Sequence, residues 1–186
     1  MTLNASLPLT GRRRFLCGCA GLAGLAALSL AGCGRGTDGD QGQAPLEIDP
    51  QTSCSLDGML LADFPGPKGQ IHYVQDRQVD WFCDTVELLS ALVAPEQVRA
   101  VKAAWVQDMA VADWDRPQGH WIDARQAWYV LGSQRKGSMG PTAASFSSEA
   151  DAKAFVTTHG GQAHRFGDIT PEMVDLTGGA LHDTRM

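Results

Sequence analysis

Between Phe15 and Gly34 the chain runs for 20 residues without a charge, and this run closes on Leu30-Ala31-Gly32-Cys33. Arg12, Arg13 and Arg14 precede it, and residues 1–32 contain no acidic side chain. A basic start, an apolar middle and a small-residue end are the anatomy of an export signal. A Cys directly after Leu-Ala-Gly matches the bacterial lipobox pattern, in which that Cys is lipidated and becomes the mature N-terminus. Cys33 is therefore the expected lipidation site. The run Arg12-Arg13-Arg14-Phe15-Leu16 resembles a twin-arginine export signal. A retained membrane anchor is the competing reading, since 20 uncharged residues just span a bilayer. Five glycines between Gly18 and Gly34, and the placement of Cys33, weigh against it.

A cut before Cys33 changes the charge and thiol inventory. The whole chain of 186 residues has 15 basic and 21 acidic side chains, for a net charge of −6. Cleavage removes the three arginines and no acid, leaving 12 basic residues against 21 acidic ones and a net charge of −9. That sign argues against nucleic-acid binding, because such proteins present a basic face. Cys17 and Cys19 leave with the signal and Cys33 is blocked as a thioether, so Cys54 and Cys83 remain as thiols. In an oxidising compartment two cysteines invite a disulfide, and any metal reading has to compete with it.

The length fits one domain or two small ones. Residues 33–45 are rich in Gly, Asp and Gln and read as a flexible tether. Leu60–Phe64 and Gln70–Val74 are strand-like, and the Pro65-Gly66-Pro67-Lys68-Gly69 turn between them predicts a hairpin. Val79–Phe82 follows the Asp76-Arg77 turn. Asp84 begins a helix, with Glu87 placed for a capping box. Val86, Leu89 and Val93 share one helical face. Val98, Val101 and Trp105 predict a second helical stretch after Pro95, and Val106–Ala112 a returning strand.

The second half repeats the outline. Trp128–Leu131 and Thr142–Phe146 are strand-like, Ser148 with Asp151 starts a helix, Gly160-Gly161 stops it, and Gln162–Phe166 closes as a strand. Phe82-Cys83-Asp84 and Phe146-Ser147-Ser148 occupy matching positions. The expected fold class is α+β, with two tandem ββαβ units packed together, one over residues 46–117 and one over 118–175. A signal at 1–32 and the tether precede them, and a disordered tail at 176–186 follows. Units this small bury little surface alone, so the halves must share a core. All five tryptophans fall between Trp81 and Trp128, which predicts a common core or groove near the junction, plain packing accounting for most of them.

Cys54 and Met59 set a thiol and a thioether five residues apart at the mouth of the first predicted hairpin. Soft sulfur donors of this kind suit Cu(I), whereas zinc usually gathers four Cys or His ligands. No CxxC, HExxH or histidine cluster occurs, which argues against an autonomous zinc site. Cys83 reads as a small buried residue at a strand–helix junction.

Cys54-Ser-Leu-Asp-Gly-Met59, Gly66-Pro67-Lys68-Gly69-Gln70-Ile71, Trp121-Ile122-Asp123-Ala124-Arg125, Gly132-Ser133 through Gly137-Ser138-Met139-Gly140-Pro141, and His159-Gly160-Gly161 together resemble the NosL family, as does the lipoprotein signal. The resemblance runs over nearly all of residues 46–175. It implies two ββαβ halves, Cu(I) as the bound metal, and no enzymatic activity. It also implies delivery of copper for assembly of the copper–sulfur centre of nitrous oxide reductase. The implied partners are that reductase, its periplasmic ABC-type assembly machinery, and the membrane through the N-terminal lipid. The family's Cys/Met motif falls on Cys54 and Met59. Met109 and Met139 lie in segments that match family motifs and are the candidate second thioethers. His72, His120 and His164 are the candidate nitrogen donors.

Two alternatives belong to other classes. One is a thiol-dependent enzyme of the organomercurial-lyase type built on Cys54, Cys83 and Asp57, although no convincing base–nucleophile arrangement supports it. The other is a metal-free structural lipoprotein with a Cys54–Cys83 disulfide. Gly34, rather than Asp, follows Cys33, which by the enterobacterial sorting rule predicts the outer membrane over the inner one.

Overall fold

The computed structural model describes residues 43–176. The expected export signal, the lipidation candidate Cys33, most of the expected tether and all but the first residue of the expected tail lie outside them. The first half contains β1 (Gly69–Tyr73), β2 (Val79–Phe82), α1 (Thr85–Val93) and β3 (Val101–Gln107). The second contains β4 (Trp121–Asp123), β5 (Trp128–Leu131), the short β6 (Lys136–Gly137) and β7 (Gly140–Pro141), β8 (Ala144–Phe146), α2 (Glu149–His159) and β9 (Gln162–Arg165). One sheet has the order β2-β1-β3-β4, a second β8-β5-β9, and β6 pairs with β7. All pairings are antiparallel. In each half a strand pair, a helix and a returning strand place the first strand in the middle, so the fold is α+β with a repeated ββαβ unit. Among the described residues no helix is long and apolar enough to cross a membrane.

β1 organises the first half because it is paired on both edges and buried along its whole length. Its side chains alternate between faces. Ile71 and Tyr73 enter the main core with Leu88 and Leu89 of α1. Gln70 and His72 share the other face, where Gln70 Oε1 lies 2.8 Å from His72 Nε2 and accepts from the Leu46 N–H at 2.9 Å. Gln70 Nε2 returns a bond to the Leu46 carbonyl, and Trp105 Nε1 donates to the Gln43 carbonyl. These bonds pin the incoming chain across the sheet.

The helices start where expected. Asp84 Oδ1 accepts from the Val86 N–H, Ser148 Oγ accepts from the Asp151 N–H, and Gly160 ends α2 at a positive φ of 73°. α1 stops before Pro95, whose ring disfavours a helical residue ahead of it. α1 lies close on β1: a Cβ at Gly69 would overlap Leu88.

Several expectations fail for identifiable reasons. Leu60–Phe64 is no strand; it forms one isolated bridge, Ser53 to Leu60, and a single turn at Leu61–Asp63. The hairpin is instead β1–β2, one segment further on. Pro65 and Pro67 lack the N–H that a ladder needs, and Gly66 (φ 81°) packs against Gly137 of the second half while its N–H bonds Trp114. The predicted helix through Val98, Val101 and Trp105 is β3, and Val98 is exposed. Pairing with the open edge of β1 outweighs a weak helical spacing that carries no cap. The strand expected over Val106–Ala112 ends at Gln107, because Asp108 closes a turn by accepting from Ala110, Val111 and Ala112. Glu87 makes no capping box; its carboxylate faces the two thiols. β4, placed by sequence in the second unit, adds to the first sheet through Trp105–Asp123 and Gln107–Trp121 pairs.

The tryptophans do not form one cluster. Trp81 and Trp121 sit 6.1 Å apart, Trp114 stacks on Phe155, and Trp128 lies under Arg165. The halves do share a core, in which Ile71, Leu88 and Val106 meet Tyr129, Ala143 and Ile169. Polar stitches reinforce it: Thr142 Oγ1 donates to Asp84 Oδ1 at 2.7 Å, Ser145 Oγ to the Gln107 carbonyl at 2.6 Å, and the Met109 N–H to the Ser145 carbonyl.

Candidate metal centre

Cys54 lies in a tight loop closed by its own backbone. The Cys54 N–H donates to the Met59 carbonyl at 2.8 Å, the Gly58 N–H returns to the Cys54 carbonyl, and Asp57 Oδ1 accepts from the Met59 N–H. Gly58 takes a φ of 78°, which side chains rarely adopt. This loop is tied to β2 by a reciprocal pair: the Ser55 N–H donates to the Trp81 carbonyl at 2.7 Å, and the Trp81 N–H donates to Ser55 Oγ at 2.9 Å. Cys54 is thereby set beside Cys83, the residue between the end of β2 and the cap of α1.

Both cysteines are buried and both are free thiols. Glu87 projects from the first turn of α1 with Oε2 3.5 Å from Cys54 Sγ and 3.4 Å from Cys83 Sγ. Asp57 Oδ2 stands 3.8 Å from Cys83 Sγ. Donor atoms of Cys54, Asp57, Cys83 and Glu87 all fall within 4.8 Å of one another. Met59, Trp81 and Trp121 pack against the thiols together with buried Ile48 and Leu61. From the second half, Ser138 Oγ reaches the Cys83 carbonyl at 2.8 Å and Cys83 Sγ at 3.2 Å. Lys68, fully buried, donates Nζ to the carbonyls of Cys83 (3.0 Å) and Pro65 (2.9 Å).

The electrostatics follow from burial. The Cys83 thiol donates to Cys54 sulfur, and with nearby backbone N–H groups this lowers the Cys54 thiol to about 6. The same bond, followed by burial, pushes the Cys83 thiol up. Burial and the charge on Cys54 raise Glu87 to about 7, so the Cys54 thiol and this carboxyl compete for protons near neutrality. Burial lowers Lys68, while Asp84 and the site's anions push it back up. A buried cluster of two thiols, one of them readily ionised, is a ligand for a thiophilic metal ion.

The structure brings Cys54 and Met59 together, and adds Cys83, Asp57 and Glu87 to them. Met109 is not at this site: its N–H joins the second half at Ser145 and its side chain packs with Val130, Ala144 and Phe146. Met139 stands half exposed at the β6–β7 tip, next to Ser138. The histidines are elsewhere. His72 is buried on Gln70, His120 holds a positive φ of 54°, and His164 lines an open cleft of about 510 Å³ with Met173. Cys83 is buried at the strand–helix junction as expected, and it also stands against the carboxylates of Glu87 and Asp57. Cys54, Cys83 and Asp57, the trio of the enzymatic alternative, are also gathered here.

The family model for NosL matches residues 45–174. The chain belongs to the NosL family. It is 40% identical over 167 residues to the copper-binding lipoprotein NosL of Stutzerimonas stutzeri, covering 87% of each chain. To the copper-binding lipoprotein NosL of Achromobacter cycloclastes it is 39% identical over 153 residues, covering 80% of this chain and 79% of the relative. Its fold resembles the crystal structure of the copper chaperone NosL from Shewanella denitrificans, with a TM-score of 0.66 and 44% identity over 70% of this chain and 98% of that one.

Proposed function

We propose that this chain is a Cu(I)-binding metallochaperone, anchored by lipid at Cys33, that delivers copper for assembly of the copper–sulfur centre of nitrous oxide reductase. The observation that carries this reading is the buried, readily ionised Cys54 thiol with the thioether of Met59 packed in the same cluster. Soft neutral and anionic sulfur donors favour Cu(I) over harder ions. Membership of a family whose relatives are named copper-binding lipoproteins and copper chaperones supports it. Thiolate supplies affinity and thioether, a weak neutral donor, keeps release accessible by ligand exchange. Cys54 and Met59 are the first ligands in this reading; Met139, beside Ser138 at the β6–β7 tip, would be a further thioether, and Met109 would need the second core to open. The chain acts on the periplasmic side of a membrane, the outer one by the residue after Cys33, and hands its cargo to the reductase or to its ABC-type assembly machinery.

Competition for Cu(I) against a chelator tests the binding. Cys54→Ser should weaken affinity by more than about 100-fold, beyond the 10–100-fold typical of losing a second-shell partner, and Met59→Leu by about 10-fold. Unchanged affinity in both variants rejects the site, and unchanged copper loading of the reductase in a deletion strain rejects the delivery role. Metabolic labelling with palmitate should mark the wild type and not Cys33→Ala. Carbon–mercury bond cleavage is the second reading, favoured only by the gathering of Cys54, Cys83 and Asp57; turnover of an organomercurial by copper-free protein would establish it.

A further inference from the structure

We infer that Cys83 is the second thiolate ligand of the cargo site, so that Cys54 Sγ and Cys83 Sγ make the two short bonds to Cu(I). This rests on the copper reading above and names the ligand that the Cys/Met motif does not contain. Two metal–sulfur bonds of roughly 2.3 Å placed end to end span about 4.6 Å. The two sulfurs lie no more than 4.8 Å apart, so both are within reach of one ion. Their separation is held by the two Ser55–Trp81 hydrogen bonds, each one or two residues from a thiol. A preorganised pair loses little conformational freedom on binding.

The other donors at the site do not displace Cys83 from this role. The carboxylates of Asp57 and Glu87 are hard oxygen donors, which Cu(I) disfavours against sulfur. Met109 belongs to the other core and Met139 is half exposed. Two thiolates around Cu(I) leave one net negative charge, and a buried anion needs a compensating partner. Lys68 supplies it. Its ammonium is buried, bonds the carbonyl of Cys83 itself, and among the described residues makes no ion pair within 4 Å. Ser138 Oγ, 3.2 Å from Cys83 Sγ, offers the sulfur a hydrogen bond from the second half. Met59 then serves as a weaker third donor from the rim.

The test uses the full chain, reduced, titrated with Cu(I) against a chelating competitor, with X-ray absorption at the copper edge. Cys83→Ser and Cys83→Ala should each weaken affinity by about 100-fold or more while Met59→Leu stays near 10-fold. Absorption on the copper-loaded Met59→Leu protein should still show two sulfurs at one short distance, a readout that holds even where a Cys83 variant fails to fold. Wild-type affinity in both Cys83 variants, or one sulfur with oxygen or nitrogen neighbours in Met59→Leu, overturns the inference and leaves the copper reading intact. No Cu(I) binding by the reduced wild type overturns both.

Discussion

Replacing Gly137 by alanine should destabilise the fold by about 3 kcal/mol or more, combining overpacking of 1–3 kcal/mol with damage to a buried cap and its hydrogen bond. A Cβ at this position would collide with the Asp84 carboxylate and stand 2.9 Å from Thr142 Cβ. Asp84 is buried, caps α1 through the Val86 N–H, and accepts from Thr142 Oγ1. One methyl group therefore strains the helix start and the joint between the halves together. It also pushes away the β6–β7 hairpin that carries Ser138 to Cys83. Urea unfolding should show a lower midpoint with little change in slope. Gly167→Ala is the control: no atom lies within 4 Å of a Cβ there, and its effect should stay within about 0.5 kcal/mol. Equal midpoints for the two variants would show that the second half does not press on Asp84.

Lys68→Met should cost about 3 kcal/mol in the metal-free protein, the lower range for breaking a buried charge arrangement from one side. Methionine, one atom shorter, fills most of the space, but the carbonyls of Pro65 and Cys83 lose their donor. The ammonium is also a counter-charge for Asp84, whose pKa burial has pushed up to about 6. The sign follows from that direction. A carboxyl raised in the folded state binds more protons there than in the unfolded chain, so its contribution to stability falls as pH rises from about 4 through 6. Without Lys68 the carboxylate is harder to ionise and the penalty above pH 6 grows. The loss should thus be larger at pH 8 than at pH 5, by urea unfolding at both. An equal loss at both pH values would assign the whole cost to the two carbonyl bonds.

The repeated ββαβ outline, the caps at Asp84 and Ser148 and the glycine stop at Gly160 were legible along the chain because each depends on neighbours within one or two turns. The same local character explains why Cys54 and Met59, closed into one loop by their own backbone bonds, could be paired from spacing. Sequence by itself also carries the lipobox-like pattern ending at Cys33 and the two cysteines beyond it, Cys54 and Cys83, which are matters of composition and order. Tertiary structure alone decided the rest. Whether residues 98–107 coil or extend depended on the free edge of β1, which lies some 30 positions away in the chain. Whether Cys83 stood apart from Cys54 or beside it depended on a loop 26 to 29 residues before it being tied to Trp81, and its contact with Glu87 on that carboxylate turning to the thiols instead of to its helix end. Met109, sound as a donor by chemistry, packs into the other core, where its N–H bonds the Ser145 carbonyl. Donor type is a property of a residue, but a metal site is a set of distances, and distances between remote segments are set only when the sheets and helices close around them.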